Sequence, residues 1–263
     1  MGNAMAEDTD ITDAPIHTVT LSAFYMAKNL VTKADWDTVR TWGLTHGYTD
    51  LAVGAGKAAN HPVQTVTWYD VVKWCNARSE MEGLTPCYTL NTVIYRTTNN
   101  DAVVCNWAAS GYRLPSKAEW EKAARGGLSG KRFPWGDTIS HANANFNNIG
   151  KEPYQNGTAG FHPAYEKGDA AHTSPVGSFP ANGYGLYDMA GNIWPWCWDW
   201  TGTYAAGEQT DPRGALSGTY RVLRGGDWGG TASGCRSAYR GISGDPASSG
   251  NFIGFRIARS SVP

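Results

Sequence analysis

Five cysteines (Cys75, Cys87, Cys105, Cys197, Cys235) and six histidines (His17, His46, His61, His141, His162, His172) are the residues that could supply thiolate or imidazole chemistry. No two cysteines stand as CxxC, so a zinc ribbon has no support. No histidines fall as HxH or HExxH, which removes the helix-borne zinc site of a metalloprotease. An odd number of cysteines leaves at least one thiol unpaired if the others pair. Cys87 and Cys105 flank a hairpin-like stretch, residues 88–104, that could bring them together. Two readings stay open there, a disulfide or two reduced, buried thiols.

The composition limits what must position these groups. With 22 Lys+Arg against 23 Asp+Glu in 263 residues, the net charge is -1, which excludes a polybasic nucleic-acid binder and an acidic disordered tail. Twelve Trp, 13 Tyr and 7 Phe are enough large side chains to bury a substantial core. Glycine, at 32 residues, exceeds its usual share without a Gly-x-x period, which implies many turns and irregular connections. No stretch approaches the roughly 18 consecutive apolar residues of a membrane span, and the N-terminus lacks the basic-then-apolar layout of a secretory signal.

Few regular elements are expected. The alternation from His17 to Leu21 reads as a strand, and Val31 to Trp36 reads as the start of a short helix capped by Thr32. From Thr67, the spacing of Trp68, Val71, Val72 and Cys75 predicts a helix to about Met81, stopped by Gly83. Ser116 and Glu119 form a capping box that opens a helix to about Arg125, ended by Gly126-Gly127. Residues 128–250 hold almost no helical periodicity, so short strands and long ordered loops should follow. Trp194, Trp196, Trp198 and Trp200 alternate as one face of a strand, read as core rather than a sugar-stacking platform. No linker or repeat divides the chain, so residues 1–263 are expected as one domain.

An ordered set of motifs adds to this. Gly111-Tyr112-Arg113-Leu114-Pro115-Ser116-Lys117-Ala118-Glu119-Trp120-Glu121 comes first, then Phe133-Pro134-Trp135-Gly136-Asp137 and Ser174-Pro175-Val176-Gly177. Asn182-Gly183-Tyr184-Gly185-Leu186-Tyr187-Asp188-Met189-Ala190-Gly191-Asn192-Ile193-Trp194 follows, and Arg221-Val222-Leu223-Arg224-Gly225-Gly226-Asp227-Trp228, Cys235-Arg236-Ser237-Ala238 and Gly254-Phe255-Arg256 close the series. In this order they resemble the formylglycine-generating-enzyme, or sulfatase-modifying factor, family across nearly the whole chain. The resemblance implies an α+β, C-type-lectin-like fold with two main helices, a small mixed sheet and high loop content. It also places Met1-Gly2 well inside a longer precursor.

Enzymes of that family oxidise a substrate cysteine with two cysteines about five residues apart after Arg-Gly-Gly, where copper is held by two thiolates. Laid on that motif, this sequence has Gly230 at the first position and Cys235 at the second. One thiol remains, so no catalytic residue is assigned and the expectation is a protein that is not an enzyme. Pro195 replaces the glutamate that serves a calcium site in the family and brings no side-chain oxygen. No metal ligand is assigned and no cofactor is expected, with a structural calcium around Asn145 and Asp169 left open.

What stands around Cys235 gives the preferred reading. A frame, Arg-Gly-Gly-x-Trp, then Cys-Arg-Ser-Ala-x-Arg, then Ile-Gly-Phe-Arg, is interrupted by small and mixed residues over about 224–256. These are Asp227, Gly229, Gly230, Thr231, Ser233, Gly234, Tyr239, Gly241, Ile242, Ser243, Gly244, Ala247, Ser248, Ser249, Gly250, Asn251 and Phe252. The layout resembles the variable region of diversity-generating-retroelement proteins, in which adenines of Asn codons are replaced at random. Randomised AAC or AAT codons cannot encode Glu, Lys, Gln, Met or Trp, and none occurs at these 17 positions. Those five types make up 37 of the 263 residues, so chance alone would leave them out about 8% of the time.

The resemblance implies a ligand-binding protein in which Tyr239 and Phe252 anchor, polar side chains adapt, and all 17 face solvent. Trp228, Cys235, Ala238, Ile253 and Phe255 should be core, with Arg224, Arg236, Arg240 and Arg256 paired to carboxylates or carbonyls. Its partner would be a variable ligand, a protein or surface molecule of another cell, with no nucleic acid and no membrane span. By the same resemblance it would sit at the bacterial surface, as a lipoprotein whose anchor these residues lack. A copper-dependent formylglycine-generating oxidase and a carbohydrate-binding lectin are the alternatives, the latter without the paired Glu/Asn or Gln/Asp ligands of calcium lectins.

Overall fold

The computed structural model describes residues 1–5, 11–150, 152–167, 171–240 and 243–261. Three helices stand in the first half of the chain, α1 (Lys33–Leu44), α2 (Trp68–Met81) and α3 (Lys117–Arg125). Each opens with a capping box: Thr32 with Asp35, Thr67 with Asp70, Ser116 with Glu119. In each, the hydroxyl and the carboxylate satisfy two amides that a first turn leaves without partners. The starts expected at Thr32, Thr67 and Ser116 are all present, and α3 makes the helix count three rather than two.

Among the described residues eleven short strands complete the fold: β1 (Val19–Thr20), β2 (Phe24–Met26), β3 (Tyr88–Leu90), β4 (Val93–Ile94), β5 (Val104–Cys105), β6 (Trp194–Trp200), β7 (Gln209–Thr210), β8 (Arg221–Leu223), β9 (Ser243–Gly244), β10 (Ile253–Phe255) and β11 (Ala258–Ser260). The largest sheet is mixed, in the order β10-β6-β8-β9, with β10 parallel to β6 and the other pairs antiparallel. Cys105 pairs across the sheet with Tyr88, yet all five cysteines are free thiols, which closes the question of a Cys87–Cys105 disulfide in favour of reduced thiols.

The main core lies between α1, α2 and the β6–β10 pair. Trp36 of α1 and Trp74 of α2 stack at 5.9 Å, and Phe255 of β10 meets both edge-on, at 5.9 and 5.2 Å. Strand β6 was expected to bury one face. Both are buried, because Trp194 and Trp196 enter the main core while Cys197 packs with Trp120, Met189 and Val222 on the other side. Trp198 is half-buried. A separate apolar cluster, Phe133, Ile139, Ala144, Phe146 and Tyr154 with Ala232 and Cys235, holds the irregular middle of the chain against its C-terminal segment. No helix among the described residues is long and apolar enough to cross a membrane.

Candidate ligand-binding surface

The C-terminal segment begins where β8 ends in Arg224-Gly225-Gly226. Both glycines adopt left-handed φ, +87° and +83°, and a Cβ on Gly226 would stand 2.7 Å from Cys235 Sγ. Glycine is therefore required here both by conformation and by space. Arg224 turns inward, fully buried, and its Nη2 donates to Glu121 Oε2 at 2.5 Å while Nη1 donates to the carbonyl of Tyr239. Burial alone would push the Glu121 carboxyl up. The Arg224 and Arg125 guanidiniums beside it more than offset this and hold it below the ordinary carboxylate range.

The other frame arginines also reach far along the chain. Arg236 Nη2 donates to Asn3 Oδ1 at 2.8 Å, and Arg240 pairs with Asp13 at 3.2 Å and donates to the Gly202 carbonyl. Arg256, fully buried, donates to the carbonyls of Ala27 and Tyr187. Cys235, Ala238, Ile253 and Phe255 are buried between them. Trp228, expected in the core, is half-buried instead, its Nε1 donating to the Asn251 carbonyl at 3.2 Å and its ring beside Phe161 and His172.

Between these fixed points, two loops come together beside Trp194 and Trp228. In the first, Asn147 N–H donates to the Gly230 carbonyl, and Thr231 and Ser233 join hydroxyls at 2.8 Å. The second is held at its base, where Pro246 and Gly250 carbonyls accept the amides of Trp68 and Thr65. Ala247, Ser248, Ser249, Asn251 and Phe252 are exposed. Gly229, Gly230, Thr231, Ser233, Tyr239, Ser243, Gly244 and Gly250 are half-buried, Tyr239 lying 6.1 Å from the Trp194 ring. Gly241 and Ile242 lie outside the described residues.

Two of the expected outward positions turn inward. Asp227 is buried, its Oδ1 accepting Trp194 Nε1 at 3.0 Å, and its carboxyl is further held by the amides of Gly229 and Gly230. Burial pushes its pKa up to about 6 against those hydrogen bonds, so it shapes the loop rather than facing a ligand. Gly234 is buried because the Trp194 ring lies 3.1 Å from where a Cβ would be. Phe161 and His172, which border the surface through Trp228, escaped the sequence reading because they sit in a stretch without periodicity.

The groups that a metal would need are distributed unevenly. At the family's copper positions, Gly230 has no donor and Cys235 is a single buried thiol, pushed well up by burial. A two-thiolate copper site does not fit these residues. Asn145 differs, since its Oδ1 is buried without a hydrogen-bond partner, an oxygen of the type that calcium takes. Its expected companion Asp169 lies outside the described residues, and Pro195 brings no side-chain oxygen. Among the described residues, no three His, Cys, Asp or Glu are grouped to hold a metal.

Comparison with known proteins places this geometry. The Sulfatase-modifying factor enzyme 1-like domain matches residues 1–261. The Formylglycine-generating enzyme of Mus musculus is 36% identical over 271 residues, covering 95% of this chain and 70% of its own length. That of Streptomyces coelicolor is 35% identical over 281 residues, covering 98% and 85%. Among solved structures, Treponema denticola variable protein 1 superposes with a TM-score of 0.76 at 31% identity, over 96% of this chain and 90% of that one. The resemblances drawn from the sequence, to both the formylglycine-generating enzymes and the variable proteins, are thereby confirmed, as is the C-type-lectin-like fold. The expectation that the protein is not an enzyme is overturned by the same relatives, which carry an enzyme's name along nearly the whole chain.

Proposed function

The chain belongs to the sulfatase-modifying factor enzyme 1-like family, and on that premise we propose that its C-terminal segment, residues 224–256, is a ligand-binding surface carried by the rest of a single domain. One observation carries this reading. Of the 15 described positions assigned to the surface, only Asp227 and Gly234 are buried, whereas the arginines and apolar residues between them are almost all closed off from water. Side chains at the exposed positions Ala247, Ser248, Ser249 and Asn251 can change without disturbing what holds the loops, as in a paratope on a rigid base, whereas a Cβ on Gly230 or Gly244 would meet Asp227 or the Trp196 ring at 2.5 Å. Diversification by a retroelement explains the residue types at those positions, and the structural likeness to a protein named as variable supports it.

The ligand would be a protein or surface molecule of another cell, met at the bacterial surface, with calcium at Asn145 as a structural support of the neighbouring loop. Sequencing the DNA around the gene tests the central element. A near-copy of the codons for residues 224–256 with Asn codons at the open positions, beside a reverse transcriptase, is the expected result; the absence of both removes diversification from the reading.

Oxidation of a substrate cysteine is the second reading, favoured by the identity to relatives named formylglycine-generating enzyme. It is tested with a cysteine peptide in the presence of copper. Turnover that disappears in Cys235→Ala would assign the activity to that thiol.

A further inference from the structure

Away from the C-terminal surface, a cavity of about 390 Å³ opens between the start of α3 and the loop of residues 203–215. Lys117, the first residue of α3, lines it and is only 7% exposed. The Lys117 amide donates to Asp199 Oδ2 at 2.7 Å, but the ammonium has no hydrogen-bond acceptor and no carboxylate within 4.0 Å among the described residues. It lies over the Tyr204 ring, 4.7 Å from the centroid. The ammonium opens on the cavity, and burial of the side chain lowers its affinity for a proton, with Asp199 working against that and Arg240 and Arg224 with it.

Of the other cations on or beside this wall, the Met1 α-ammonium donates to the His17 carbonyl at 3.1 Å. Arg213 pairs with Glu119 at 3.5 Å and lies 3.6 Å over the Trp107 ring, and Arg240 holds Asp13 and the Gly202 carbonyl. His17 faces the Tyr204 ring at 4.4 Å with its Nδ1 on the Pro15 carbonyl. The Asp199 carboxyl is fully enclosed and pushed by burial up to about 6, and it takes the Lys117 amide, not the ammonium. The Lys117 ammonium, without a carboxylate of its own, therefore faces a space that has polar groups at Met1, Thr203 and Gln209 and an apolar side at Tyr204, Ala205 and Pro212.

We propose that this cavity binds a small organic monocarboxylate, its carboxylate on the Lys117 ammonium and its apolar body against Tyr204, Ala205 and Pro212. The entering group supplies the acceptor and the counter-charge that Lys117 lacks, and the apolar side at Tyr204, Ala205 and Pro212 favours an organic body over a bare phosphate ion. The site is independent of the C-terminal surface.

The test is calorimetric titration of the whole chain with benzoate, benzyl alcohol and inorganic phosphate. Benzoate should bind at least roughly ten-fold more tightly than either of the others, and Lys117→Met should reduce its affinity to that of benzyl alcohol. Reductive methylation of Lys117 in the unaltered protein, read by peptide mass spectrometry, gives a second measurement should the variant fail to fold. Benzoate should slow it several-fold and benzyl alcohol should not. Benzyl alcohol or phosphate binding as tightly as benzoate, Lys117→Met binding benzoate as the parent does, or labelling indifferent to benzoate would each overturn the proposal.

Discussion

The helical half of the molecule and its C-terminal segment are held together by different physics. Between α1 and α2, stability comes from large rings in mutual contact, Trp36 on Trp74 with Phe255 against both, and from capping groups within three residues of the amides they serve. In residues 224–256, Cys235, Ile253 and Phe255 join the apolar cores, and long-range polar bonds fix the chain between and beside them. Arg224 reaches Glu121, Arg236 reaches Asn3, Arg240 reaches Asp13, and Arg256 reaches the carbonyls of Ala27 and Tyr187. The difference teaches how a segment can be rigid while most of its side chains remain uncommitted. A packed helix uses every inward residue, whereas these loops are held at a few points, guanidiniums and buried apolar residues such as Cys235 and Phe255.

Removing a pin is the largest way to break this comparison. Glu121→Ala leaves Arg224 buried without its carboxylate and deprives Arg125 and the Gly2 amide of theirs, so it should cost about 3–5 kcal/mol in urea denaturation. A loss below about 1 kcal/mol would mean that the segment is held by its apolar residues instead, like the helical half.

The second effect is pH-dependent. Asp227 has its folded-state pKa raised to about 6, above the ordinary 3.8, so the folded protein binds the proton more tightly than the unfolded chain. Its contribution is full below about pH 4 and is lost as pH rises through 6, on the order of 3 kcal/mol across that window. Stability of the parent relative to Asp227→Asn should fall between pH 4 and 6; Asp199, raised to about the same value, is common to both proteins and cancels in the difference. A pH-independent difference would place the Asp227 carboxyl in water, where the sequence had put it.

A local effect in the helical half comes next. Ser116→Ala removes the hydroxyl that accepts the Glu119 amide at 3.2 Å and should lower stability by about 1 kcal/mol, a modest loss because the capping box is one of many contacts there. How much could be read beforehand follows the same division. The capping box at Ser116 and the cap at Thr32 were legible because cap and amide are three residues apart, and Gly126 because it ends its helix in a left-handed turn, whereas the boxes that Asp35 and Asp70 complete came only with the structure. The inward turn of Asp227 and Gly234 was not, since it depends on Trp194, at least 33 residues away in sequence. Lys117 reads as an ordinary first-turn residue, and only the approach of the 203–215 loop encloses it.

The smallest expected effect is the most informative about the open positions. Ala247, Ser248, Ser249 and Asn251 are exposed, and the hydrogen bonds that hold their loop are accepted by the backbone carbonyls of Asp245, Pro246, Gly250 and Asn251 or by the Asp245 side chain. Replacing Ser248, Ser249 or Asn251 by Tyr or by Ala should therefore change stability by less than about 0.5 kcal/mol. At Gly234, by contrast, any side chain must displace the Trp194 ring that lies 3.1 Å from its Cβ position, so Gly234→Tyr should unfold what Ser248→Tyr leaves intact. Two positions of similar composition, both within the same segment, would then separate by whether a tryptophan stands behind them. If Ser248, Ser249 and Asn251 instead proved as sensitive as Gly234, the exposed side chains would be structural. The distinction between pins and open positions would then fail for the very loop on which it is clearest.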